Sequence, residues 1–323
     1  MFNSTLPAGR ILHISLRNAR HAVRYHSTGG PGLVSAQKFC ADSVRKNDYE
    51  NYLCIPFYPK QVQNAQYAIR AFNVELASIR ESVSNAVIGK MRTQFWKDTI
   101  DKTFAKNPPQ QPIALALSDA LQHASLSPMW FKRIINEREE NLEDPQFMTI
   151  KDMEKYAENT ASCLLYLQLE SLNVRDVNAD HIVSHIGKMI GITTLLRSIP
   201  FHASQKRLVL PAEITANHNI VQEDVFRQGH AEGLEDAVFD VATAAHDHLL
   251  TARSMLKSVP PAAMPVILSA VIIGTRLRFI LVPSAQYLAK LEQHNFNAFE
   301  PKLQVRNWKL PLDIWSAYRN QTI

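Results

Sequence analysis

At 323 residues and 46% hydrophobic content, the chain can bury one large core or two ordinary ones, and its 10 glycines and few alternating apolar runs favour helices over sheet. The formal charge of +5 excludes little by itself, because Arg10, Arg17, Arg20 and Arg24 supply most of it before the first acid, Asp42. The remainder holds 31 basic and 30 acidic residues, which argues against nucleic acid as a partner, since that would need a basic patch on the folded part. Cys40, Cys54 and Cys163 are widely spaced with no Cys-x-x-Cys pair, so neither a disulfide framework nor a structural zinc site is expected, and buried free thiols fit a reducing compartment.

The first segment has its own character. Its four arginines lie three, four or seven apart among Ile11, Leu12, Ile14, Leu16 and Val23, so a helix there sets a basic face beside an apolar one. That is the pattern of a mitochondrial presequence; the alternative is a disordered or membrane-surface N-terminus. A cut near Arg24–Ser27 and a flexible Ser27–Gly32 link follow from it. The expected division is a presequence and link at 1–33 and a single helical domain at 34–323. No long apolar stretch of the secretory type is present in the segment.

Beyond it one helix follows another. Residues 35–47 predict a helix opening at a Ser35 cap, and residues 61–82 carry Val62, Ala65, Ile69, Phe72, Leu76 and Ile79 close to the i, i+3, i+4, i+7 rule. A helix over 88–104 is stopped by Asn107-Pro108-Pro109. Pro112 and Pro128 open two more, over 112–123 and 128–142, at positions where a missing N–H costs nothing. Residues 150–172 read as one long apolar helix, and 179–199 and 236–257 as two others, parted by an irregular stretch from Pro200 to about Gly233. Helices over 262–274 and 281–293 and a tail with proline and tryptophan complete the pattern. Pro261–Thr275 is the nearest approach to a membrane span, but it falls short of the roughly 20 apolar residues needed and runs into Arg276 and Arg278. It reads as a core helix, with peripheral membrane contact as the alternative. With no repeat or low-complexity block, the expectation is one all-α domain.

Two of these helices carry a resemblance. The run Ala68–Glu81 (AIRAFNVELASIRE) resembles the helix bearing the first aspartate-rich motif of squalene and phytoene synthases. Gly191–His202 (GITTLLRSIPFH), followed by Arg207–Pro211 (RLVLP), resembles the helix and exit segment of the second. The resemblance implies a single-domain, all-α, isoprenoid-synthase-like fold with a central cavity. In those enzymes both motifs supply aspartates that hold magnesium against a prenyl diphosphate. Here Ala77, Ser78 and Glu81 stand in the first motif, and Ser198, Phe201 and His202 in the second. Magnesium takes oxygen ligands in near-octahedral geometry. Alanine offers none, serine is a poor ligand, and Glu81 alone would hold a metal weakly. The chain is therefore expected to be a pseudoenzyme with no catalytic residue, no metal and no cofactor.

Longer phrases narrow the resemblance. Tyr49–Cys54, Met91–Lys97, Asn107–Pro109, Tyr156–Thr160 and His185–Lys188 are similar to a mitochondrial branch of that superfamily serving the assembly of respiratory complex I. That branch implies a matrix protein peripheral to the inner membrane, acting early, with complex I subunits or other assembly factors as partners. Two other functions stay open: a prenyltransferase with an unorthodox metal arrangement, and an isoprenoid or lipid carrier.

Several residues keep two readings each. Glu75 marks the old cavity rim or pairs with Arg70 or a helix neighbour, and Arg197, where the enzymes also have arginine, meets an anion or sits in salt-bridged surface. His181 and His185 lie one turn apart beside Asp180, and with His246 and His248 from another helix they have the residue types for a metal site. Lacking a His-Glu-x-x-His signature, packing is the favoured reading. There is no Gly-x-Ser-x-Gly elbow and no glycine-rich phosphate loop.

Overall fold

The computed structural model describes residues 31–143, 145–270, 283–305 and 309–312, and among these every regular element is helical. Helices α1 (Pro31–Asn47) and α2 (Tyr49–Cys54) precede α3 (Gln63–Ser82), α4 (Ala86–Phe104), α5 (Pro112–His123) and α6 (Pro128–Glu140). Next, α7 (Ile150–Ala157) passes through a π-helical turn, Glu158–Ser162, into α8 (Cys163–Ser171), and α9 (Val177–Arg197) follows. The short α10 (Ile199–Ser204), α11 (Ala212–Asn217) and α12 (Gln222–Gln228) lead to α13 (Leu234–Met255), then α14 (Met264–Ala270), α15 (Pro283–Gln293) and α16 (Pro301–Gln304).

Several boundaries differ from the sequence reading for identifiable reasons. α1 is already helical at Pro31, ahead of Ser35, so residues 31–33, assigned above to the link, are helical. Residues 1–30, which hold the proposed presequence, lie outside the described residues, as do 271–282 with Arg276 and Arg278. α4 starts two residues early because the Asn85 side chain accepts the Ile88 N–H at 3.0 Å, and α9 because Asp176 accepts that of Ala179 at 2.8 Å. The stretch from Pro200 to Gly233 is not irregular. It holds three short helices joined through left-handed residues, Lys206, Asn219 and Gly229 among them, and each is too short to show a period.

The long helices α3 and α9 organise the packing. α3 lies against α1, α4, α5 and α8, and α9 against α7, α8, α13 and α15. α8 joins the two sets and is buried at every residue except Glu170. Phe72 of α3 meets Trp96 and Phe131 edge-on, at 5.5 and 5.1 Å between ring centroids, filling the middle of the bundle. A buried polar chain runs beside them. Gln66 donates to Ser171 Oγ at 2.6 Å, Gln168 donates to Gln66 at 2.8 Å, and Arg70 donates to Gln168 at 3.2 Å. Each of these amides has a partner, so their burial does not carry the cost of an unmade bond.

The continuous helix expected over 150–172 is interrupted by the π turn, where α9 packs against it. A Cβ built on Gly187 would stand 2.4 Å from Ser162 Cα and 2.5 Å from its N, and one on Gly191 would stand 2.4 Å from Ala157 Cβ. Only hydrogen fits, so the two backbones touch, and Ser162 Oγ donates to Ser184 O at 3.0 Å across the seam. Gly187→Ala is expected to lower stability by about 1–3 kcal/mol or more in urea denaturation followed by circular dichroism. Gly32→Ala, in α1 with nothing within 4 Å, should be neutral or stabilising by about 0.5–1 kcal/mol. An equal response of the two variants would show that the crossing is not sterically closed.

Candidate functional site

The C-terminal half of α3 and the C-terminal end of α9, continued by α10, border one cavity of about 320 Å³. α3 contributes Leu76, Ala77, Ile79, Arg80 and Glu81. The opposite side is built from Leu195 of α9, Ser198 at its C-terminal cap, Phe201 and His202 of α10, and Arg207 and Leu208 from the turn that follows. The remaining wall comes from α4, α6 and α7 with the segment after α6, and includes Thr93, Arg138, Phe147 and Tyr156.

Five positions singled out in the two motifs, Ala77, Glu81, Ser198, Phe201 and His202, therefore meet around one space. Three others do not line it. Ser78 is exposed and donates its hydroxyl to Glu75 O at 2.8 Å. Glu75 accepts from Arg92 of α4 at 2.6 Å, not from Arg70, because its position on α3 faces the neighbouring helix. Arg197 lies 3.2 Å from Glu50 of α2 and is held there as an ion pair. Of the two readings left open for each, Arg197 takes the salt-bridged one and Glu75 the paired one, with Arg92 in place of Arg70.

The electrostatics of the cavity are the reverse of an acid-lined metal site. Among its described lining residues Glu81 is the single carboxylate, and it accepts from Arg207 at 3.1 Å. Arg80, Arg138 and Arg207 supply three guanidinium groups. Arg138 donates from Nη1 to the Tyr156 hydroxyl and lies 5.5 Å from the centre of that ring. Its Nε is buried with no hydrogen-bond partner among the described residues. Magnesium needs several anionic or neutral oxygens at once, and one carboxylate already engaged by arginine does not fit it. Sequence reasoning missed Arg138: its neighbours Glu137, Glu139 and Glu140 make it look like part of a solvated charged face, and nothing local shows that Arg138 borders the cavity.

A second polar cluster lies between α7, α9 and α13. His185 Nδ1 and His248 Nδ1 are 2.9 Å apart, His248 Nε2 is 3.2 Å from Glu154 Oε1, and the His181 ring lies 5.1 Å from that of His185, tilted by 43°. The consistent tautomers have His248 donating Nε2–H to Glu154 and accepting the Nδ1–H of His185. His246 is exposed and takes no part, and among the described residues no group of three or more His, Cys, Asp or Glu converges as a metal site. The three thiols are buried, and burial pushes each up to about 12, so none is poised as a nucleophile.

Burial lowers the pKa of both His185 and His248 from their ordinary 6.5. Neighbouring His248, His181 and Lys188 add to the effect on His185 against Glu158, while Glu154 and Asp247 oppose it on His248. Between the lowered folded values and 6.5 the unfolded chain binds more protons, so this contribution to stability is intact above pH 6.5 and is lost as pH falls below it. Protonating both rings would also leave two donors facing each other. The urea midpoint should therefore hold steady above pH 7 and drop below 6.5, with a shallower drop in His248→Gln. Parallel curves for the two proteins would remove the cluster from the acid response.

Residues 44–309 match the family model for squalene/phytoene synthase. The chain is 43% identical over 289 residues to "NADH dehydrogenase (ubiquinone) complex I, assembly factor 6" of Rattus norvegicus, covering 90% of this chain and 84% of that protein. It is 44% identical over 286 residues to the protein of the same name from Bos taurus, covering 88% and 83%. Among solved structures it resembles a dehydrosqualene synthase crystallised with a ligand, with a TM-score of 0.75 at 16% identity over 89% of this chain and 96% of the other, a likeness of fold.

Proposed function

The chain belongs to the squalene/phytoene synthase family, and on that premise we propose that it is a non-catalytic assembly factor for mitochondrial respiratory complex I, the NADH:ubiquinone oxidoreductase. One observation carries the loss of catalysis: the two motif helices still face each other across a cavity, but its described lining offers a single carboxylate, tied to Arg207. A prenyl diphosphate is a polyanion whose ionisation in the family enzymes depends on metal charge at the leaving group. Coulomb attraction at short range scales with the number of charges, so a wall with one paired acid does not gather a magnesium cluster. The names of the 43–44% identical relatives support complex I as the assembly served.

The protein then works by binding, with complex I subunits or other assembly factors as partners, in the matrix and peripheral to the inner membrane. No helix among the described residues is long and apolar enough to cross a bilayer. An exposed apolar stripe on α4, formed by Val87, Met91 and Phe95 one turn apart, supports a role in protein contact. Cells lacking the protein should show reduced complex I on native gels, restored by the intact chain and equally by Glu81→Ala. Purified protein with farnesyl diphosphate and magnesium should give no turnover. Normal complex I in the null cells would overturn the assembly role. Turnover that vanishes in Glu81→Ala would overturn the loss of catalysis.

A further inference from the structure

We propose that the cavity between the ends of α3 and α9 binds an anionic amphiphile directly, a phosphate monoester on one apolar chain, through arginine and without a bridging metal. This rests on the non-catalytic reading and deepens it. The charge of the wall is the first reason. Arg207 is paired with Glu81 and Arg80 has a partner of its own, but the described lining holds no second carboxylate, so Arg138 faces a space that does not repel an anion as an aspartate-lined one would.

Arg138 is the second reason. A guanidinium has five N–H donors in a planar fork suited to phosphate oxygens, and among the described residues one of those of Arg138 is used, on Tyr156. The ring of Tyr156 supports the guanidinium from one side, which limits the side-chain ordering lost when an anion binds. The third reason is the lining beside the charges. Leu76, Phe147, Leu195 and Leu208 border the same space, so a ligand with its head on the arginines has apolar surface for its tail. A volume of about 320 Å³ stands at the lower end of small-molecule sites and suits one short chain. An isoprenoid monophosphate and a single-chain phospholipid with a terminal phosphate share this chemistry.

Titration calorimetry of the full chain in EDTA tests it, with decyl phosphate as the probe and decanol and inorganic phosphate as the two halves. Decyl phosphate should bind at least about 10-fold more tightly than either half. Arg138→Gln should weaken it about 10-fold or more, the scale of a lost charge-assisted hydrogen bond. Ala77→Trp, which obstructs the cavity without removing a charge, should weaken it as well and keeps the test decisive if Arg138→Gln unfolds. Geranyl phosphate and a short-chain lysophosphatidic acid, titrated in parallel, distinguish the two sources by which binds more tightly. Binding that requires magnesium, or that both variants leave unchanged, overturns the inference, as does no binding at all. Turnover of a prenyl diphosphate would instead overturn the non-catalytic reading, so a chain that neither turns over nor binds decyl phosphate fails on this inference alone.

Discussion

The backbone contact between α9 and the Ala157–Ser162 segment sets the geometry on which the cavity depends. Gly187 and Gly191 lie one turn apart on the face of α9 that meets this segment, and neither has room for a methyl group. Interiors are packed too densely to absorb such an intrusion locally, so a side chain there would displace the helix. Ser198, Phe201 and His202 lie at and beyond the far end of α9, and their distance from Ala77 and Glu81 is therefore fixed by a contact nearer its middle. The π turn is the local adjustment in the partner helix where the two meet.

Around that frame the charges have been redistributed. Arg70 is held by Gln168 and lies 3.9 Å from Asp48, and Arg197 pairs with Glu50, so acids from the short segment around α2 meet basic residues of both motif helices. The Arg197–Glu50 pair is partly exposed and worth little in stability. Its consequence is positional: the guanidinium at the end of α9 is engaged on the α2 side, and the cationic character of the cavity comes from Arg80, Arg138 and Arg207 instead. A wall of this kind selects ligands by direct hydrogen bonding to guanidinium groups, a different rule from metal bridging.

Much of this was legible in the chain because a helix records its buried face at fixed spacing. Phe72, Leu76 and Ile79 announced α3, and Pro112 announced α5 to the residue. Boundaries set by side-chain caps were less legible, since Asn85 and Asp176 act through a single hydrogen bond and leave no periodic mark. The π turn was not visible at all, because the apolar pattern of 150–172 runs through it unbroken. In the site, Ala77 and Glu81 could be placed opposite Ser198 and His202 through the resemblance of both motif helices. Glu75 and Arg197 kept two readings each, because which neighbour a long charged side chain selects is a property of helices distant in sequence.

The sequence by itself determined the all-helical class, the two motif helices and the deficit of acids on them, since residue identity at a known spacing needs no partner to be read. Only the tertiary structure decided that three guanidinium groups and one carboxylate meet in the described lining of the cavity. Arg138 comes from α6, Tyr156 from α7 and Arg207 from the turn after α10, and their charges add only because packing brings them within a few ångströms of one space. Electrostatic character at short range is a sum over three-dimensional neighbours, and no local pattern in the chain carries that sum.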